Sequence, residues 1–336
     1  MGSKAFNGEV WTNVHPDIMQ AMLEANSVAV DGKVGNDGYS KRAEALMQAQ
    51  FTGPVYMFET INGTAANTLA LKCMLRTWSS VLCADETHIN TYECAAFEYN
   101  LRGKLISAPS HDGKLTPEQV AGLLEKSRRF GYVPTVLALT QPTEFGVLYT
   151  VEELAALTEL AHKNGLYVYI DGARIANALE ALDTDLHTMI EQTDVDAFTF
   201  GGTKCGALFG EMVVLRRPEH AEHLDYIQKQ SLQHLDKSKF LGAQLEYLLE
   251  GERWRSIAGH ANAMAALLAR RLAEKDVELC FSPDVNMVFT RLSREQFSRV
   301  TSVFDLHWWD ETEGSVRFCA THETTVDLIE RLLELI

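Results

Sequence analysis

The sequence predicts an α/β protein: a mostly parallel sheet with helices on both faces forms a large domain, and a smaller α+β domain follows it. Three observations lead there. Short strand-like runs alternate with helical patterns from residue 15 to about 216, the pattern of parallel strands joined by crossover helices. The runs are apolar and β-branched, as strands buried on both faces are. After residue 240 the rhythm changes to long helical patterns, two strand-like runs and a last helix.

In chain order, the expected strands fall on residues 55–60, 80–83, 104–107, 135–140, 167–171, 197–200 and 212–216. Two of the helices between them carry readable starts. Thr116-Pro117-Glu118-Gln119 and Thr150-Val151-Glu152-Glu153 each place a hydroxyl cap three residues ahead of Gln or Glu, so that cap and side chain satisfy each other's backbone N–H groups. Gly165 closes the second of these helices. Helical patterns follow over 242–250 and 254–275, then strand-like runs over 286–290 and 316–319 and a helix to Ile336. The expected division is a large domain over residues 1–238, with an N-terminal arm over 1–14, and a small domain over 239–336. No repeat, low-complexity tract or long linker interrupts the chain, so the two parts are expected to pack as one unit.

With 336 residues, 46% of them hydrophobic and 23% charged, the chain has the make-up of a globular protein with a sizeable core. Its net charge of −16 repels phosphate backbones and anionic lipid, which argues against an extended nucleic-acid or membrane surface but not against a small anion in a local positive pocket. No apolar run approaches the ~18 residues of a membrane span, and the first residues lack a secretory pattern. A cytoplasmic address is the expectation. The six cysteines form no Cys-x-x-Cys pair, which suits reduced thiols, and Cys205 is expected only to pack. His220 and His223 lie three apart without a third ligand in sequence, so an ordinary surface helix and no metal are expected. Trp308-Trp309 reads as core or subunit interface, since adjacent tryptophans face different ways and need burial.

In an open parallel sheet the ligand crevice lies at the carboxyl ends of the strands. Two such ends stand out. In Tyr167-Val168-Tyr169-Ile170-Asp171-Gly172-Ala173-Arg174 a carboxylate ends an apolar strand and an arginine follows; in Phe198-Thr199-Phe200-Gly201-Gly202-Thr203-Lys204 a lysine follows another across two glycines. A strand-ending Asp is often a helix cap, and a Lys after Gly-Gly is often a solvated loop residue. Together they match what pyridoxal phosphate (PLP) requires: a carboxylate that keeps the pyridine nitrogen protonated and an amine that forms an imine with the aldehyde.

Asp-Gly-Ala-Arg, followed about thirty residues later by Gly-Gly-Thr-Lys, resembles the low-specificity threonine aldolases, within the beta-eliminating lyase group of the aspartate-aminotransferase-like PLP fold (fold type I). The likeness runs from about Phe6 to the end of the chain. It implies a seven-stranded sheet, PLP joined to Lys204, and Asp171 beneath the ring nitrogen. It also implies a phosphate site at Gly63 and Thr64 in Asn62-Gly63-Thr64-Ala65-Ala66-Asn67, where a helix N-terminus offers free N–H groups, with Thr203 nearby. His88, in Asp85-Glu86-Thr87-His88, would stack on the ring and is a candidate proton acceptor. Arg174, which the resemblance also places against the cofactor, and Arg317 in Gly314-Ser315-Val316-Arg317-Phe318, would grip a substrate carboxylate through forked contacts. Lys229 is similar to a lysine that approaches the phosphate across a subunit boundary, and the loop over residues 32–38 to one that lines a neighbour's site. A homodimer or homotetramer with shared active sites follows from the resemblance.

The chain departs from that family in two places. Where the family has Ser-Asp near its N-terminus, this chain reads Phe6-Asn7-Gly8-Glu9, which puts Glu9 on the substrate side. Where many members have a second active-site histidine, it reads Gln141-Pro142-Thr143-Glu144-Phe145-Gly146. The base therefore stays open between His88, Glu144 and a bound water. The expected reaction is retro-aldol cleavage of L-threonine, L-allo-threonine or a related β-hydroxy-α-amino acid, phenylserine included, to glycine and an aldehyde. The alternatives are a β-eliminating lyase or aminotransferase on the same fold, and a non-catalytic PLP-fold protein.

Overall fold

The computed structural model describes residues 3–29, 32–33 and 36–336. Part of the loop over 32–38 lies outside the described residues; its described backbone forms a two-stranded antiparallel pair, β1 (Gly32–Lys33) and β2 (Asn36–Asp37).

Seven strands make the large sheet: β3 (Tyr56–Thr60), β4 (Ser79–Ala84), β5 (Lys104–Ala108), β6 (Val133–Thr140), β7 (Tyr167–Asp171), β8 (Ala197–Gly201) and β9 (Glu211–Leu215). Their order is β3-β9-β8-β7-β6-β4-β5. β9 is antiparallel to both β8 and β3, and the other pairings are parallel, so β9 alone runs against the remaining six. All seven expected strands are present, displaced by a residue or two at their ends. Burial on both faces is visible residue by residue. Val136 and Ala138 of β6 join one core, and Leu137 and Leu139 join the other; Tyr169 of β7 points to the first, Val168 and Ile170 to the second. A pleated strand sends alternate side chains to opposite sides, and here both sides are apolar.

The helices are α1 (Pro16–Ser27), α2 (Gly38–Gln48), α3 (Gly63–Met74), α4 (His88–Thr91), α5 (Ala96–Leu101), α6 (Pro117–Phe130), α7 (Val151–Lys163), α8 (Ile175–Ala181), α9 (Leu224–Gln230), α10 (Lys239–Leu249), α11 (Trp254–Glu274), α12 (Arg294–Thr301) and α13 (Val326–Leu333). Both expected capping boxes exist: Thr116 with Gln119 starts α6, and Thr150 with Glu153 starts α7. Gly165 follows α7 at φ +74°, the left-handed turn that stops a helix. α3 covers one face of the sheet through Ala66, Leu69, Ala70 and Leu71. Leu241, Leu245 and Leu248 of α10 lie in the core on the opposite face, so this helix shares its packing with the large sheet.

The C-terminal part is built on a second, antiparallel sheet of order β10-β12-β11, with β10 (Met287–Arg291), β11 (Trp308–Asp310) and β12 (Ser315–Cys319). β11 is a strand that the sequence reading does not contain. Its two tryptophans do face different ways: Trp308 stacks on Phe297 at 3.7 Å, and Trp309 meets Phe289 edge-on at 5.1 Å. The third core holds Val288, Val316, Phe318, Ile329 and Leu332, together with Phe6 from the N-terminal arm.

His220 corrects one expectation. It sits in a short 3-10 turn, Pro218–His220, buried against the Tyr167 ring at 4.3 Å, and His223 caps the start of α9 with a left-handed backbone. The two do not form the face of a surface helix. Among the described residues no cluster of metal-ligating side chains occurs, and no helix is long and apolar enough to cross a membrane.

Candidate active site

The site gathers at one edge of the large sheet. Asp171 ends β7, Lys204 follows β8, Glu144 follows β6, His88 follows β4, and Gly63 begins α3 after β3. β9 runs the other way, so its first residue, Glu211, reaches the same edge, in register with Gly201 and Thr60. Two glycines bring the Asp171 and Lys204 segments together. A Cβ on Gly172 would lie 2.0 Å from the Thr199 carbonyl oxygen, and one on Gly201 would lie 2.3 Å from that of Ala173. Any side chain at either position would force the two strand ends apart.

Asp171 is buried and both its oxygens are engaged: Oδ1 accepts from the Ala173 N–H at 3.0 Å, and Oδ2 accepts from Asn67 Nδ2 at 2.8 Å. Asn67 Nδ2 also donates to Glu93 Oε1 at 2.7 Å, and that same oxygen lies 2.8 Å from His88 Nδ1. Asn67 is fixed in turn by the Tyr169 hydroxyl, which donates to its Oδ1 at 2.6 Å. His88 and Asp171, far apart in sequence, are thus oriented by one hydrogen-bonded chain. Burial pushes the Glu93 carboxyl above its ordinary pKa, against the pull of its bonds to His88 and Asn67.

Lys204 makes no ion pair among the described residues. Burial and the neighbouring Arg174 cation push its amine below the ordinary lysine pKa, opposed by Glu9, Asp171 and Glu211. An amine so placed keeps more of its neutral, nucleophilic form. Glu211 is buried beside Thr203, and burial raises its carboxyl to about 7. Its Oε2 has no hydrogen-bond partner.

Arg174 and Glu9 form a forked pair, Nε to Oε1 at 2.5 Å and Nη2 to Oε2 at 2.8 Å. Asn286 Nδ2 also donates to Glu9 Oε1, at 2.8 Å. Burial alone would raise the Glu9 pKa; the Arg174 charge and bond outweigh it and hold the carboxyl far below its usual range. Gly8, at φ +144°, supplies a backbone turn that places Glu9 there. Arg317 is arranged differently. Its guanidinium lies over the Trp309 ring at 5.1 Å, and Nη2 is 3.5 Å from the Asn7 carbonyl.

Two adjoining cavities, of about 220 and 270 Å3, occupy this edge. Each exceeds the ~150 Å3 that holds a benzene ring. Gly63, Thr64, His88, Asp171, Arg174, Thr203 and Lys204 line the first, together with Asn67, Glu144 and Glu211. Glu9, Trp11, Tyr92, Trp309 and Arg317 line the second. Lys229 borders neither and is exposed on α9. Cys205 is buried near the Trp254 carbonyl, with burial raising its thiol to about 12, so it packs and does not react.

The first cavity fits PLP. The N–H groups of Gly63 and Thr64 belong to the first turn of α3 and have no partner within the helix, and the space where a Gly63 Cβ would sit is open. That is room and donors for a phosphate. Lys204 offers a free amine, and Asp171 a carboxylate of set direction.

Sequence reasoning did not find Asn67, Glu93 or Glu211. Asn67 sits in the quoted turn but acts through its side chain. Glu93 lies five residues after His88 with no motif around it. Glu211 had one readable signal, an acidic residue opening an apolar strand, which the expected strand 212–216 leaves outside.

Comparison with known proteins bears on the same site. The beta-eliminating lyase family model matches residues 10–295. The chain is 33% identical to the low specificity L-threonine aldolase of Pseudomonas aeruginosa, over 98% of this chain and 96% of that one. To the enzyme of the same name from a Pseudomonas sp. it is 35% identical, over 96% and 94%. A solved threonine aldolase from Leishmania major superposes with a TM-score of 0.93 at 27% identity, covering 98% of each chain. Aspartate aminotransferase from Thermus thermophilus, at 16% identity, TM-score 0.74 and coverage of 99% and 91%, shares the fold alone. With a family model matching most of its length and relatives aligned almost end to end, the chain belongs to the beta-eliminating lyase family.

Proposed function

We propose that this chain is a PLP-dependent carbon–carbon lyase that cleaves L-threonine, L-allo-threonine or a related β-hydroxy-α-amino acid to glycine and an aldehyde. One observation carries the reading: Asp171 ends β7, Lys204 follows the neighbouring β8, and both border one cavity with the open turn at Gly63. Bound there, PLP would supply an electron-withdrawing ring. Everything else falls to the protein. Gly63, Thr64 and Thr203 would hold the phosphate, Asp171 and His88 would hold the ring, and Lys204 would provide the amine. Arg317, which makes no ion pair among the described residues, grips the substrate carboxylate. Arg174 is already engaged by Glu9, so its part is to fix the wall of the cleft and add charge. Holding the carboxylate would set which bond at Cα is the one to break. Trp11, Tyr92 and Trp309 beside Arg317 give the β-substituent an aromatic surround.

Incubating purified protein with L-threonine, L-allo-threonine and phenylserine, and measuring glycine and aldehyde, tests the reading. Aldehyde release that disappears in Lys204→Ala, together with the visible absorbance of the bound cofactor, is the expected result. Pyruvate and ammonia from serine, or keto-acid exchange, without aldehyde would move the assignment to elimination or transamination.

The same proposal includes a cytoplasmic location, for which the free state of all six cysteines speaks, and a homodimer or homotetramer with shared sites. Exposed Tyr226 and Leu232 near Lys229 suit a subunit contact. Sedimentation at working concentration checks it.

A further inference from the structure

We propose that Glu144 Oε2 is the atom that takes the proton of the substrate's β-hydroxyl, a role that rests on the lyase reading above. One end of this carboxylate is fixed. Oε1 accepts from the His88 backbone N–H at 2.7 Å and from Thr140 Oγ1 at 3.2 Å. The other end is buried and has no hydrogen-bond partner. Leaving a buried acceptor unpaired is costly, and here the unpaired atom belongs to a residue on the wall of the cleft.

Position singles out Glu144 among the buried carboxylates. Glu9 borders only the outer cavity, and Asp171 and Glu211 border only the inner one; Glu144 borders both. It therefore stands beside both the amine of Lys204 and the aromatic surround of Arg317, where the β-carbon has to lie. Two rivals are committed elsewhere: Glu9 is forked to Arg174, and Asp171 is bonded through both oxygens. His88, its Nδ1 held by Glu93, has a separate task against the cofactor in the lyase reading. Glu144 has no ion-pair partner among the described residues.

Burial, with Asp171 adding to it, raises the Glu144 carboxyl to about 7, near the operating pH that suits a group taking and returning a proton. The groups that face it are His88 and Tyr92 from the α4 side, Cys83 from β4 and Asp171 from β7. Tyr149 lies behind it, and Lys204, Arg174 and Arg317 lie across the cleft. The step balances. The O–H bond breaks with its proton passing to Oε2, its electrons form the aldehyde C=O, and the Cα–Cβ pair is left at Cα. A proton from solvent then reaches Cα to complete glycine, and Oε2 gives its own proton back to solvent, so Glu144 ends as it began.

Glu144→Gln tests this. Its amide oxygen still accepts from His88 and Thr140, and only the proton-accepting oxygen is lost. Three quantities are read against wild type on holoenzyme: aldehyde release across pH, visible cofactor absorbance, and an infrared titration of protonated carboxyl. The proposal expects aldehyde release to fall by about 100-fold or more, with absorbance retained. The limb of the pH profile near 7 disappears, and so does one carboxyl band titrating there, which Glu211→Gln leaves in place. Release within about threefold of wild type with the limb intact overturns the proposal while leaving the lyase reading standing. No aldehyde from wild type on any β-hydroxy amino acid removes both. If Glu144→Gln does not hold the cofactor, Glu144→Asp decides. Slowed release with a displaced limb supports the role, and wild-type rate with an unmoved limb overturns it.

Discussion

Arg317 lines the cleft from β12 with its guanidinium over the Trp309 ring and no carboxylate partner among the described residues. A fork in that state matches a carboxylate through two parallel N–H donors, which a lysine ammonium does not reproduce. Arg317→Ala is expected to raise KM about 10- to 100-fold, the range that a charge-assisted hydrogen bond of about 1.5–3 kcal/mol supports. Arg317→Lys should recover little of it. Steady-state kinetics with L-threonine check both, and an unchanged KM in Arg317→Ala would remove the residue from the substrate side. The sequence makes both arginines candidates for this grip. It could not show that Glu9, at the position where the family has Ser-Asp, takes the fork of Arg174, because that pair spans 165 residues and depends on how the N-terminal arm returns to the sheet.

At the scale of elements, β3 carries an acid on the sheet face that meets α2. Glu59 is buried, its Oε1 has no partner, and burial together with Asp37 and Glu44 raises its carboxyl from 4.5 to about 8. The sign of the effect on stability follows from proton binding. Below pH 4.5 Glu59 is protonated in the folded and the unfolded chain alike, and it has no effect. Between 4.5 and about 8 the unfolded chain has released the proton and the folded chain keeps it, so stability falls as pH rises. Glu59→Gln removes that dependence. Its melting temperature is expected to exceed wild type by several degrees at pH 8, with the gap closing toward pH 5. Scanning calorimetry at the two pH values reads this, and a gap independent of pH would show that the carboxyl does not titrate there. The seven strands of the large sheet and helices α6 and α7 were legible, because capping boxes, apolar runs and Gly165 are local signals. β11 was not, since three residues carry no period and its Trp-Trp pair reads equally as plain core.

Over the whole molecule, the N-terminal arm ties the C-terminal part in place. Phe6 is buried in the third core, edge-on to Phe304 at 5.6 Å and to Phe318 at 6.2 Å, and its carbonyl accepts from the Cys319 N–H at 2.8 Å. Removing such a ring leaves a cavity that costs about 3–5 kcal/mol. Phe6→Ala is expected to lower the urea midpoint accordingly. It should also raise KM, because Gly8, Glu9 and Arg317 are carried on the same joint. A destabilised variant with unaltered KM would mean that the joint holds the fold but not the cleft.

By itself the sequence determined the class of the large sheet and the strand ends that carry Asp171 and Lys204, and its resemblance to a known family pointed to the turn at Gly63 and to PLP. These are short-range statements: a run of apolar residues, a cap, a glycine pair and a charged residue just past a strand. Only the tertiary structure decided that Glu211 reaches the site because β9 runs backwards, and that Asn67 and Glu93 join His88 to Asp171. It also decided that Glu9 occupies Arg174 and that Glu144 keeps one buried oxygen free between two cavities. Each of those depends on which segments are neighbours across the sheet edge. That is settled by packing and hydrogen-bond satisfaction over the whole chain, so no local stretch of residues encodes it.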